Sequence, residues 1–192
     1  KAKVVKPQAE KIITLGKKNN LQNTKILISK LQDTKSANKV KNTTLHRFGL
    51  GVTTESMPLY LGPEYGEASL IPGVNRNYFV SDTPVDIISG DESFHKLGIH
   101  KLDLVKIDIE GSEMKFFGGA KKFFSEQSPI LVTEVHDRKL IDVSKSSAEE
   151  YLETIKNLGY QIYEVRQDLE LVELEIGKFK DKAIFDVLAV PN

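Results

Sequence analysis

Apolar positions along this chain change their spacing repeatedly, and each change marks a new element. The run Leu102–Ile109, apolar apart from its acids and Lys106, has the length of a short strand covered on both faces. After Gly111 the spacing becomes helical, with Met114, Phe117, Ala120 and Phe124 three or four residues apart. Ile130 to Val135 then reads as a buried strand. Ser147 and Glu150 form a capping-box pair that opens a helix, Tyr151, Ile155 and Leu158 supply its inner stripe, and Gly159 ends it. Gln161–Val165 and Ile184–Val190 predict two closing strands, paired antiparallel.

Upstream the signals are shorter. Val4-Val5 reads as a strand end, Pro7 as the first position of a helix, and Ala9, Ile12, Ile13 and Leu15 as that helix's inner face. Ile26, Leu27, Ile28 and Leu31 form a second amphipathic stretch that runs into low-complexity sequence, so residues 24–43 are expected to be an insertion with a mobile loop. Leu45–Leu50 predicts a strand that pairs with Ser56–Leu61 as a hairpin. Three glycines and two prolines between Gly62 and Arg76 predict a long loop, the kind of segment that forms lids and binding surfaces. Tyr78–Val80 is a strand candidate, and Pro84–Ile88 leads into a helix around Phe94, Leu97 and Gly98. Strands alternating with helices make an α/β fold the expectation, with a mostly parallel sheet covered on both faces and one domain over residues 1–192.

Chemistry collects where these strands finish. Asp108 and Glu110, two residues apart, point the same way if the strand continues that far, and carboxylates there can orient a hydroxyl or accept its proton. Acids near a helix start also complement its dipole by about 0.3–1 kcal/mol, so spacing alone leaves the two readings level. Lys106 can pair with Asp108 or with Glu134 on the next strand, or extend its head to the sheet end. Glu134 and His136 alternate on one face, where they can supply a general base. Two ligands without a third make a poor metal signal, and a hydrogen-bonded structural role suits His136 better. Tyr60 and Tyr65 can stack on a ring-shaped substrate or simply anchor their turns.

Lys106-Ile107-Asp108-Ile109-Glu110-Gly111-Ser112-Glu113, then Phe117-Gly118-Gly119-Ala120 and Pro129 to Glu134, resembles the K-I-D-x-E-G-x-E, x-G-A and P-x-x-x-x-E pattern of FkbM-type methyltransferases. The resemblance implies a three-layer Rossmann-like sheet, mostly parallel with an antiparallel strand near the carboxyl end. It also implies S-adenosylmethionine as cofactor, and methyl transfer to a hydroxyl of a sugar, glycan or other small molecule. On that pattern Asp108, Glu110 and Glu134 become the candidate catalytic residues. Asp108 also faces the cofactor, and Ser69, in a small-Ser-Leu segment, lies on the cofactor side of the crevice.

Composition then narrows the alternatives. The absence of cysteine removes disulfides, thiolate metal sites and thiol nucleophiles. Twenty-seven basic side chains balance 27 acidic ones, so net charge recommends neither nucleic acid nor an anionic membrane as partner, although lysines crowd the first forty-odd residues. No apolar run reaches the ~18–20 residues of a membrane span, and a cytoplasmic location and a possible homo-oligomer are the expectations.

The family's glycine-rich cofactor turn has no counterpart beyond Gly49-Leu50-Gly51, which lies beside the wrong strand. This suggests the downstream part of a longer chain, or a gap filled by rearranged or partner strands. Lys6 and Val52 stand where the family carries acids for the ribose and adenine ends of the cofactor. Those departures motivate a second expectation, a non-catalytic binding or assembly module on a methyltransferase scaffold with a degenerate cofactor site.

Overall fold

A computed structural model describes residues 42–61, 68–69, 79–80, 84–178 and 184–192, and the side chains of all of these except 61, 68–69 and 79–80. The expected strand at Val4-Val5, the Pro7 helix, the greater part of the 24–43 insertion, and Tyr65 lie outside the described residues.

The described chain opens with β1 (Gly49–Gly51), β2 (Glu55–Met57), β3 (Tyr60–Leu61), β4 (Ala68–Ser69), β5 (Phe79–Val80) and β6 (Val85–Ser89). The helix α1 (Gly90–Lys96) follows, then β7 (Leu104–Ile107), the helices α2 (Glu113–Gly119) and α3 (Lys121–Glu126), and β8 (Ile130–His136). A single turn α4 (Asp137–Lys139) runs into a π-helical turn, Leu140–Ser144. The chain finishes with α5 (Ala148–Asn157), β9 (Tyr160–Val165), β10 (Leu171–Glu173) and β11 (Ile184–Pro191).

Three sheets result. The largest has the order β10-β9-β11-β8-β7, with β7 and β8 parallel and its other pairings antiparallel. β6 lies between β1, which it meets in parallel, and β2, which it meets antiparallel; β4-β3-β5 is a small antiparallel ribbon. The expected mostly parallel sheet is therefore corrected to mixed sheets in which antiparallel pairings predominate among the described residues. Connection length is the reason. Only a long crossover can return a strand in parallel: residues 108–129, carrying two helices, do so for β7 and β8, while residues 166–170 leave β10 no choice but to fold back on β9. The Leu45–Leu50 hairpin is also corrected, since β1 and β2 each pair with β6 rather than with one another.

The helical pattern after Gly111 becomes two helices. Ala120 leaves helical geometry at φ −121°, and the side chain of Asp91 accepts the amides of Lys122 (3.1 Å) and Phe123 (2.8 Å), capping α3 from a neighbouring helix. The glycine pair before that break has a packing role: a Cβ on Gly119 would overlap the carbonyl of Gly51, so only glycine lets α2 lie against β1. Phe116, Phe117, Phe123 and Phe124 then close a cluster of aromatic rings over the sheet. Helix α5 bears out its sequence signals. Ser147 and Glu150 make the reciprocal capping box, and Tyr151 and Ile155 are fully buried.

The expectation of strands covered on both faces is corrected as well. Leu131, Thr133 and Val135 of β8, Ile107 of β7, and Phe185, Val187 and Ala189 of β11 form one buried face. The opposite face is exposed or half-buried: it holds Leu104, Lys106, Ile130, Val132, Glu134, His136, Ile184 and Asp186. Each strand therefore alternates instead of burying both sides.

Candidate functional site

β7 ends at Ile107, and its alternation stops there. Asp108 is exposed, on the same side as Lys106, whose ammonium lies 3.0 Å from its carboxylate. Both partners are solvated, so the pair orients Asp108 but adds ~0–1 kcal/mol to stability. Glu110 does not follow the strand period. It adopts a left-handed backbone, φ 58°, and its half-buried carboxylate pairs with Lys139. Sequence spacing placed Asp108 and Glu110 side by side; the left-handed turn separates their directions.

Gly111 continues that turn at φ 95°, and a Cβ there would overlap the carbonyl of Lys139. Ser144, at the end of the π-helical turn, donates its hydroxyl hydrogen bond to the Gly111 carbonyl. On the other side, Glu113 accepts the amides of Gly111 (3.2 Å) and Ile109 (3.3 Å) through Oε1. A local carboxyl on one side and a segment about thirty residues downstream on the other thus clamp three residues of backbone. π-helical turns are rare and collect at functional sites, which fits this one's contact with the strand end.

Glu134 and His136 share the open face of β8, as expected, and Asp186 of β11 stands directly opposite Glu134. Partial burial raises the Glu134 pKa above its ordinary value, the charges of Asp108 and Asp186 raise it further, and His136 and Lys106 offset part of that. Asp108 and Glu134 are therefore close enough to sense one another. His136 has a structural contact: its Nδ1 faces the amide of Lys139 at 3.5 Å, at the start of α4. Ser69 pairs with Tyr60 through the backbone in the small ribbon, and its side chain lies outside the described residues.

Three participants escaped the sequence pattern. Asp186 becomes part of the acidic group only through strand register, and Lys139 and Ser144 reach the turn only through tertiary packing. Glu113 did carry a signal, as an acid in the first turn of a helix just after a glycine. Among the described residues no group of three or more His, Cys, Asp or Glu side chains could hold a metal ion, and no helix is long and apolar enough to cross a membrane.

Acids near the carboxyl ends of adjacent parallel strands beside a glycine turn stand where open α/β sheets place their ligand crevices. The chain belongs to the FkbM methyltransferase family, whose domain model, Methyltransferase FkbM domain, matches residues 2–162. A solved structure of methyltransferase FkbM from Methylobacillus flagellatus KT is similar to 88% of this chain at 18% identity and a TM-score of 0.42. A similarity of 69% identity over 48 residues, 25% of this chain, is to the large ribosomal subunit protein bL17 of Pelagibacter ubique (strain HTCC1062). The chain spans 33% of the length of each of these two relatives.

Proposed function

We propose that this chain acts in a methyltransferase that uses S-adenosylmethionine to methylate a hydroxyl of a sugar, glycan or other small molecule. The observation that carries the reading is the placement of Asp108 just past the end of β7 and of Glu134 on its parallel neighbour β8, one residue beyond the Ile107–Thr133 pairing and on the open side of the sheet. When bound, the cofactor supplies an electrophilic methyl on a sulfonium cation. Carboxylates suit that positive charge, so the described residues fit the methyl-donating end of the cofactor. The described residues provide no ribose-binding acid at Val52, which is half-exposed.

Asp108, held by Lys106, orients the acceptor hydroxyl, and Glu134 takes its proton. A base with a raised pKa accepts a proton more readily near neutral pH. Glu110, committed to Lys139, supports the turn and reaches the acceptor only if that pair opens. Ser69 would contact the donor from the ribbon side. Titration calorimetry of the full chain with S-adenosylmethionine and its demethylated product, followed by transfer of labelled methyl to a panel of sugar hydroxyls, tests the reading. Binding of neither compound would overturn it.

The ribosomal similarity favours a second reading, a binding module. Residues 1–41 carry eleven lysines against two acids, and the remaining residues carry 16 basic side chains against 25 acidic ones. A 48-residue segment suited to ribosomal RNA has to neutralise phosphates, and only the amino-terminal stretch has that charge. On this reading the segment binds RNA whether or not the acidic remainder is an enzyme. RNA binding by the full chain that weakens steeply with salt, and that fails when Lys11, Lys17 and Lys18 become glutamine, would support it; salt-independent or absent binding would dismiss it.

A further inference from the structure

Glu113 is 3% exposed, yet nothing requires a charge inside a helix start of this kind. Dipole compensation needs only proximity and works at the surface. Glu113 instead directs Oε1 back along the chain to the amides of Ile109 and Gly111, the two that flank left-handed Glu110. Its second oxygen is buried without a hydrogen-bond partner. A non-glycine residue in left-handed geometry persists only where its surroundings over-determine it, and such strain gathers at functional positions. Here the surroundings are identifiable: the Glu113 carboxyl on one side, and Lys139 and Ser144 on the other.

We propose that Glu113 is the positioning residue of this site. By holding the amides of Ile109 and Gly111 it fixes the left-handed Glu110, and so sets where the Asp108 carboxylate stands at the end of β7. The functional half of this inference rests on the methyltransferase reading above; the structural half does not. Displacing a reacting group by about 1 Å is enough to lose about 10²-fold in rate, so a turn that fixes Asp108 is worth the burial of a carboxyl. The titratable groups facing Glu113 are Asp108 across the turn and Tyr151 of α5. Burial pushes the Glu113 pKa above its ordinary value; the backbone amides it accepts offset part of that rise, and the Asp108 charge adds a smaller increase.

The test compares Glu113→Ala and Glu113→Gln in the full chain. Glutamine keeps the carbonyl acceptor for both amides; alanine removes it. Two readouts are needed. The first is independent of activity: carbon chemical shifts of Glu110, which report its left-handed backbone, together with hydrogen exchange at the Ile109 and Gly111 amides. Alanine should abolish the left-handed signature and speed exchange at least about tenfold, whereas glutamine should keep both near wild type. The second is kinetic: alanine should lower kcat about 10²-fold with donor KM within about threefold, and glutamine should restore kcat to within about threefold of wild type.

Retention of the left-handed signature in the alanine variant, or a glutamine variant as impaired as alanine, overturns the proposal. A lost turn with unchanged kcat does so too. Should the alanine variant not fold, glutamine decides by the same readouts, since a lost turn there is also fatal. Wild-type protein that transfers no methyl group overturns the methyltransferase reading alone, and the chemical shifts then judge Glu113.

Discussion

The two faces of the five-stranded sheet carry different kinds of residue although they share the same strands. One face, Leu131, Thr133, Val135, Phe185, Val187 and Ala189, lies under α2 and α5, and its one polar member, Thr133, shares a 2.8 Å hydrogen bond with the hydroxyl of Tyr151. The other face, one residue along each strand, presents Lys106, Glu134, His136 and Asp186 to solvent, with Asp108 at its end. A period of two lets a single strand serve stability on one side and chemistry on the other. The Ile109–Gly111 turn joins them, because Asp108 precedes it on the open side and Glu113 follows it on the sealed side.

The sharpest way to break this division is Asp108→Asn. If the open face serves chemistry alone, turnover should fall about 10²–10⁴-fold while the unfolding free energy stays within about 0.5 kcal/mol. An active variant would remove Asp108 from the reaction. On the sealed face Leu131→Ala should cost about 2–5 kcal/mol in denaturant unfolding, whereas its neighbour Ile130, 37% exposed, should lose less than about 1 kcal/mol on the same change. Equal losses would mean that the open face is covered in solution. Thr133→Val should cost about 1–3 kcal/mol, since it strands the buried Tyr151 hydroxyl without adding volume.

The smallest effect is in pH dependence. Glu113 and Glu134 both have pKa values raised above 4.5 in the folded state, so the native chain binds more protons than the unfolded one just above that pH. Their contribution is most favourable below 4.5 and is lost as pH climbs through the raised values. Glu113→Gln should flatten that decline more than Glu134→Gln, because Glu113 is the more buried of the two. A steeper decline in either variant would reverse the sign of the effect.

Much of this division was legible before any coordinates. The capping box at Ser147 and Glu150, the helical stripe of Tyr151 and Ile155, the antiparallel closing pair and the carboxylates after β7 follow from local rules of spacing and capping, which act within a few residues. Of the candidate residues, Asp108 stands just past β7 and Glu134 on its parallel neighbour β8, whereas Glu110 pairs with Lys139. Glu110 has a left-handed backbone and its partner lies 29 residues on, and no local pattern encodes that contact.

By itself the sequence determined the strands β7, β8, β9 and β11, where α5 begins, and which acids stand near a strand end, because propensity, capping and hydrophobic period are short-range. Only the tertiary structure decided which face of each strand is sealed, the pairing of β1 and β2 with β6, the break at Ala120 under Asp91, and the hold of Lys139 and Ser144 on the Ile109–Gly111 turn. Each of those depends on groups that chain connectivity keeps apart and that meet only when burying the apolar face brings their elements into contact.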